Sequence, residues 1–457
     1  MLRIRRAVVV LGLLYGGALA SAADAAPSGS LVRLPETLGC LSEQELRDPG
    51  CSYARIGRGV TDTEVSPDGR HVYVATRYTI WTFLREPTTG ALQRIRGRRG
   101  CIRHRSRTAH CGRALGMSGV QGIALSPDGR NVYAAAQSSK SVAILRRNAT
   151  TGRLRQDRGR RGCISEFRGP CGRASGGFPG PVAVAISSDG RNVYVASSTS
   201  IGPGDGGVAV FARTRRDGLL RQATGSGGCL SDRGDEDCGP ARAIAGAGAI
   251  TVTPDGRSVY VAGRSSLAVF ARRRHGRLKQ LRGEHGCIMP RNRRRVRARL
   301  QCAAARRLAS PDSFAVSPDS RSLYVPQIGG VDRVLVFGRR HDGSIRQLAG
   351  ADGCVESGGG PCVSARGFSL PLRGTVSPDG RNVYFGTEGG MAVFRRQASG
   401  ALRQLGGPFG CDDWFPGEGC RQIDLLADDS RSVAISADGR NVYMGSNWLI
   451  EVFRRTP

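Results

Sequence analysis

Charged residues at the openings of repeated strands are where this chain could do chemistry. Asp62, Asp312, Arg373 and Arg431 interrupt a series of small or apolar residues, with Gln121 as a further polar exception. A carboxylate can serve as a general base, or as ligand to an ion that activates water. An arginine can hold the charge that develops on a polarised carbonyl. Together they supply the parts for hydrolysis at a carbonyl. The competing reading is structural, with the same four charges pairing between repeats.

Other candidates lie in loops bounded by cysteines. Between Cys287 and Cys302 stand Arg291, Arg293, Arg294, Arg295, Arg297 and Arg299. Guanidinium forks fit phosphate and carboxylate, so this stretch reads as an anion clamp or, more plainly, as a solvated loop. No aromatic residue interleaves with these arginines, which argues against a base-stacking surface. Between Cys229 and Cys238 lie Asp232, Asp235, Glu236 and Asp237. They are oxygen ligands of the kind calcium takes, without the spacing and positioning glycine of a calcium loop. No cofactor is expected, and a divalent cation such as calcium has only this cluster in its favour. His104 and His110 share a loop but lack a third ligand. Asp412 and Asp413 precede Trp414 and Phe415, a grouping that suits a sugar or an ordinary surface. Asn148-Ala149-Thr150 fits a glycosylation sequon at a repeat turn. GxSxG, HExxH and Walker patterns do not occur.

The elements that must position these residues come from one stretch repeated seven times. Ser66-Pro67-Asp68-Gly69-Arg70 is followed by Val72-Tyr73-Val74. Further copies begin at Ser126, Ser187, Thr253, Ser317, Ser377 and Ser436, and the period is 59 to 66 residues. Proline presets the first turn position, aspartate bonds its own backbone, and glycine tolerates positive φ. Apolar and β-branched runs flank the turn, giving two strands and a hairpin. A third strand reads as Val208-Ala209-Val210-Phe211, and a short fourth follows a glycine turn, as at Gly152 to Gln156. Four antiparallel strands, seven times over, predict an all-β, seven-bladed β-propeller. The last repeat supplies only three strands. Residues 29–35 precede Cys40 by the offset a fourth strand requires, so they are expected to form the outer strand of the last blade and close the ring.

Composition and termini set the surroundings. Arg3, Arg5 and Arg6, the apolar run Ala7 to Ala20 and Ala23-Asp24-Ala25 read as a signal peptide over residues 1–25. Residues 26–457 are expected to be a single propeller domain, with no transmembrane segment. The fourteen cysteines fall into seven close pairs. These are Cys40 with Cys51, Cys101 with Cys111, Cys163 with Cys171, Cys229 with Cys238, Cys287 with Cys302, Cys354 with Cys362 and Cys411 with Cys420. One pair per repeat makes disulfides within the repeat the economical connectivity, in a secreted, extracellular or periplasmic protein. The formal net charge is +31, almost all of it from arginine. That field attracts anionic polymers, although arginine at equivalent repeat positions is also a plain consequence of repetition.

The turn Ser-Pro-Asp-Gly-Arg-x-Val-Tyr, then Val-x-Val-Phe, then Thr-Gly-x-Leu resembles YVTN-type propellers and the bacterial 6-phosphogluconolactonase-like family. The second repeat carries the pattern in Ser126 to Ala134, Val142 to Leu145 and Thr151-Gly152-Arg153-Leu154. The resemblance implies the propeller fold, and it implies lactone hydrolysis, surface-layer structure or binding as activities. None of that family's catalytic residues can be placed on positions here. The expectation is therefore an exported, monomeric binding or structural module. Its partners are open, with an anionic polymer or carbohydrate at the cell surface the nearest fit. The alternative is an extracellular lactonase-like hydrolase with its site in the central channel.

Overall fold

The structure is a computed structural model. It describes residues 26–457 apart from 44–49, 55, 58, 106–109, 168, 178, 199–205, 233, 235–236, 329–331, 414–418 and 424–429. The signal-peptide reading of 1–25, Asp235, Glu236, Trp414 and Phe415 lie outside the described residues.

Seven sheets form a closed ring, one for each repeat. In the second blade, Val120–Leu125 lines the channel and pairs with Asn131–Ala136, which pairs with Ser141–Arg147. The turn behaves as its residues require. Ser126 Oγ donates to Asp128 at 2.6 Å, the same carboxylate accepts the Arg130 amide at 3.2 Å, and Gly129 has φ +65°. The fifth blade has Ser320 in place of this glycine and still adopts φ +59°. The buried Ser320 hydroxyl accepts the Asp255 amide of the preceding blade at 3.1 Å, which helps offset the backbone strain. The second strand is buried throughout.

The outer part of each blade is more elaborate than one fourth strand. Leu154–Gln156 and Cys163–Ser165 both pair antiparallel with the third strand, end to end, separated by a 3-10 turn at Gly159–Arg161. Glycines open and close this turn, and Gln156 Nε2 donates to the Gly162 carbonyl at 2.8 Å. A further two-residue strand, Gly172–Arg173, then adds parallel to the outside.

The disulfides follow the expected connectivity, each within its own repeat. Cys40 is bonded to Cys51, Cys101 to Cys111, Cys163 to Cys171 and Cys229 to Cys238. Cys287 is bonded to Cys302, Cys354 to Cys362 and Cys411 to Cys420. The first cysteine of each pair opens the second outer segment, and its partner stands immediately before the parallel strand. Thus Cys51, Cys111, Cys171, Cys238, Cys302, Cys362 and Cys420 fasten that short strand to the blade. In every blade the segment after the first cysteine pairs with the beginning of the third strand. The disulfide loops therefore ring one face, opposite the Pro-Asp-Gly turns.

Ring closure follows the expected route. Leu31–Arg33 and Cys40–Ser42 both pair with Leu449–Arg455 of the last blade. The arginine-rich stretch after Cys287 is a helix, Arg294–Leu300, not an irregular loop. Among the described residues no helix is long and apolar enough to cross a membrane.

Neighbouring blades are clamped by a repeated polar device. The third strands end in Arg85, Arg147, Arg213, Arg272, Arg339, Arg396 and Arg455. Each pairs with the turn aspartate of the preceding blade: Asp438, Asp68, Asp128, Asp189, Asp255, Asp319 and Asp379. Arg147 also donates to the Tyr73 hydroxyl at 2.7 Å and the Gly129 carbonyl at 3.0 Å. Tyr73 in turn donates to the Gly152 carbonyl of the next blade at 2.8 Å. The seven repeat tyrosines are fully buried in this way. The N-terminal strand completes the series, for Tyr384 donates to Gly29 at 2.9 Å.

Candidate active site in the central channel

The innermost strands surround a channel with a cavity of about 430 Å³. An innermost strand pairs on one side only. Its side chains therefore alternate towards the two neighbouring blades, and its free edge faces the channel. Thr63 reaches back to the last blade, its hydroxyl 2.7 Å from that of Ser432. Asp62 reaches forward. Its Oδ2 accepts the Ile123 amide of the second blade at 2.9 Å, and its Oδ1 accepts the Thr63 amide at 3.0 Å. The strand register slips between Val60 and Asp62, and such bulges re-aim side chains. Asp62 is thus held where ordinary pleating would not put it.

Glu64 lines the same cavity two residues on, and so leans the same way as Asp62. Burial and the charge of Asp62 push its carboxyl up to about 8. Asp62 is also raised by burial, but the Arg373 charge and the two backbone amides act against that rise. Glu64, where the Asp62 charge adds to burial, keeps its proton at neutral pH, while Asp62 stays raised overall although Arg373 and the amides oppose the rise. Burial raises both adjacent carboxyls, and the opposing Arg373 charge and amide hydrogen bonds act on Asp62 alone.

Arg373 lines the cavity from the sixth blade, at the same offset from its turn as Asp62. Asp312 and Arg431 lie one residue further from their turns, ahead of the inner strands Ala315–Val316 and Ser432–Ile435. Burial raises the Asp312 carboxyl, while Arg373 and Arg431 lower it. Of the four sequence-predicted residues, Asp62 and Arg373 line the cavity, while Asp312 and Arg431 stand outside its lining, with the charges of Arg373 and Arg431 acting on Asp312. The four fall on four consecutive blades round the closed ring. The remaining three blades contribute mostly apolar side chains, Ile123, Leu125, Val182, Val184, Ile186 and Ile250 among them. A small molecule here would meet a polar arc and an apolar arc.

Sequence reasoning missed Glu64, and the signal was present. Two residues before the turn the other repeats have Ala124, Ala185, Thr251, Ala315, Thr375 and Ala434. A single acid among small residues stands out once the repeats are aligned.

The other candidates stay apart from this site. Arg291, Arg293, Arg294, Arg295 and Arg299 are exposed on and beside the helix of the fourth blade, with Arg297 half-buried. His104 Nδ1 accepts the Met117 amide at 3.2 Å, while His110 is exposed. Asp412 is buried, not displayed, and accepts from Arg421 Nε at 2.6 Å. Burial still pushes it up to about 6. Among the described residues no three His, Cys, Asp or Glu side chains converge to hold a metal ion.

A closed ring of seven blades with one channel site defines a seven-bladed β-propeller. Over part of its length the chain is similar to lactonase-type propellers. Residues 37–161, which carry Asp62 and Glu64, match the family described as lactonase, 7-bladed beta-propeller. Among solved structures it is similar to a candidate 6-phosphogluconolactonase from Bacteroides uniformis. Identity is 15%, the TM-score 0.52, and the match covers 77% of this chain and 85% of that one. Another from Bacteroides fragilis matches at 15% identity and a TM-score of 0.50, over 75% of this chain and 82% of that one. Hydrazine synthase of Kuenenia stuttgartiensis matches at 12% identity and a TM-score of 0.50, over 88% and 97%. At these identities the structural matches establish the fold alone. No curated protein matches the sequence.

Proposed function

We propose that the protein is an exported hydrolase of lactones, with Asp62, Glu64 and Arg373 as its reacting groups. The observation that carries this reading is the pair of adjacent buried carboxyls lining the channel cavity together with Arg373, whose charge acts on Asp62 against the rise that burial causes. Asp62 takes a proton from water as the water oxygen bonds to the lactone carbonyl carbon. Arg373 holds the oxyanion that forms. The ring C–O bond then breaks, and Glu64 gives its proton to the departing alkoxide. The product is the open hydroxy acid, and the apolar arc receives the carbon skeleton. Seven disulfides fit an oxidising compartment and support export.

The test is hydrolysis of a lactone panel by the purified protein, with and without chelator. Asp62→Asn should lower kcat/KM by about 100-fold or more, the usual size of a general-base contribution. The pH profile should fall on the alkaline side near the Glu64 value of about 8, and Glu64→Gln should remove that limb. No turnover on any lactone, or turnover indifferent to Asp62→Asn, would sink the proposal. A second reading, an exported module that binds anionic polymers, draws on the +31 net charge and the exposed arginines of 291–299. It predicts binding that weakens steeply with salt and is indifferent to Asp62→Asn.

A further inference from the structure

The outer rim of the first two blades carries a second pocket, of about 720 Å³, remote from the channel. It is lined by Arg99 of the first blade and by Arg153, Arg155 and Arg158 of the second, beside Arg146 and Arg147. The last two are neutralised, Arg146 by Asp157 at 2.7 Å and Arg147 by Asp68 at 2.8 Å. Among the described residues the other four have no carboxylate partner. Arg153 Nε is buried and makes no hydrogen bond at all. Burial and the charges of Arg155, Arg99 and Arg98 weaken the hold of Arg153 on its proton, a sign of unrelieved repulsion.

Repetition accounts for Arg155, whose position is Arg221, Lys279, Arg346 or Arg403 in other blades, but not for Arg153 or Arg99. At the position of Arg153 the other repeats have Ser30, Ala91, Leu219, Arg277, Ser344 and Ala401. Only the first two blades have paired arginines in the 3-10 turn, as Gly97–Arg99 and Gly159–Arg161. The equivalent turns elsewhere read Gly225–Gly227, Gly283–Gly286, Gly350–Gly353, Gly407–Phe409 and Glu36–Leu38.

We propose that this pocket is a binding site for an oligophosphate, with linked phosphate groups spanning the four unneutralised arginines. Guanidinium forks bind phosphate oxygens in pairs, and each fork recognises a planar arrangement that an ammonium does not. The volume is that of a small-molecule site. Four uncompensated positive charges match an anion of about that charge better than a single phosphate. The Nε of Arg153, buried and without a partner, supplies a donor among the lining residues.

The experiment is calorimetric titration of the purified protein with inorganic triphosphate at low and moderate salt. One site per chain is expected, with orthophosphate at least tenfold weaker. Arg153→Gln with Arg155→Gln should weaken triphosphate tenfold or more. Arg99→Gln with Arg158→Gln, two exposed residues whose loss spares the fold, should do the same. Arg295→Gln with Arg299→Gln removes the same charge elsewhere and should change affinity less than twofold. Equal weakening by all three pairs would reduce the effect to net charge and overturn the site. So would absence of one-to-one binding, or equal affinity for a short polyglutamate of matched charge.

Discussion

His71 occupies a position that is Asn131, Asn192, Ser258, Ser322, Asn382 or Asn441 in the other blades. Its Nδ1 lies 2.9 Å from Arg147 Nη2, and its Nε2 is buried without a partner. Burial and the neighbouring guanidinium drive its pKa down to about 4. A base depressed in the folded state binds its proton first when unfolded. Stability should therefore fall as pH drops from 6.5 towards 4, by an amount on the order of 3 kcal/mol for this residue. His71→Asn places the side chain used by four other blades at this clamp. It should flatten that part of the stability profile while leaving the protein intact at pH 7, as denaturant titration at several pH values would read. Glu64 has the opposite sign. A carboxyl raised to about 8 costs stability as pH climbs from 4.5 through 8, so Glu64→Gln should raise Tm at pH 9 more than at pH 5.

The clamp between blades is the element on which the ring depends. Arg147 is buried and satisfies Tyr73, Gly129, Asp68 and His71 together. Arg147→Met would leave the buried Tyr73 hydroxyl without the donor it accepts from, and would take from Asp68 its charged partner while the Ser66 and Arg70 hydrogen bonds remain. With Asp68 partly solvated, the expected loss is about 2–4 kcal/mol, visible as a lowered Tm. Arg295→Met, on the exposed helix, should leave Tm unchanged. The disulfides stiffen a different part of the blade. The cross-link between Cys287 and Cys302 spans 15 residues, the longest of the seven. Its removal should cost about 3 kcal/mol if unfolded-chain entropy dominates. Each disulfide loop sits between an outer segment and the next inner strand. The same linkages hold the rim of the channel near Asp62 and Arg373.

A ring has no natural first or last blade, and this one is closed by joining its ends. The last blade borrows Leu31–Arg33 and Cys40–Ser42 from the other end of the chain. Deleting residues 26–37 would unpair Leu449–Arg455 along its outer edge and remove the Gly29 acceptor of Tyr384. Melting of such a variant should show the whole domain destabilised, since each blade is supported by two neighbours. An unchanged Tm would refute closure by this strand. Closure also creates the functional asymmetry. Blades five, six, seven and one bring Asp312, Arg373, Arg431, Asp62 and Glu64 to one arc only because the ends meet.

Blade number, turn geometry, disulfide pairing and the closing strand were legible in the linear chain because each is set by local chemistry or by counting. Pro-Asp-Gly encodes a turn wherever it occurs. One cysteine pair per repeat, as in Cys163 with Cys171 or Cys354 with Cys362, leaves each cysteine a partner a few residues away. A missing fourth strand at one end must be supplied from the other. The charges of Asp62, Asp312, Arg373 and Arg431 were legible as exceptions at aligned positions, and Glu64 would have been by the same means. The parallel strand that each second cysteine introduces was not, because two residues carry no pattern of their own. Nor was the role of the third-strand arginines, because an arginine after an apolar strand looks solvent-bound until the next blade brings a tyrosine and an aspartate against it. The protonation of Glu64 depends on its burial in the channel beside Asp62. Whether a charge is an ion pair, a base or an open anion site depends on which side chains face it across a blade boundary. That follows from folding into a ring, because residues hundreds of positions apart become neighbours there in water-poor surroundings.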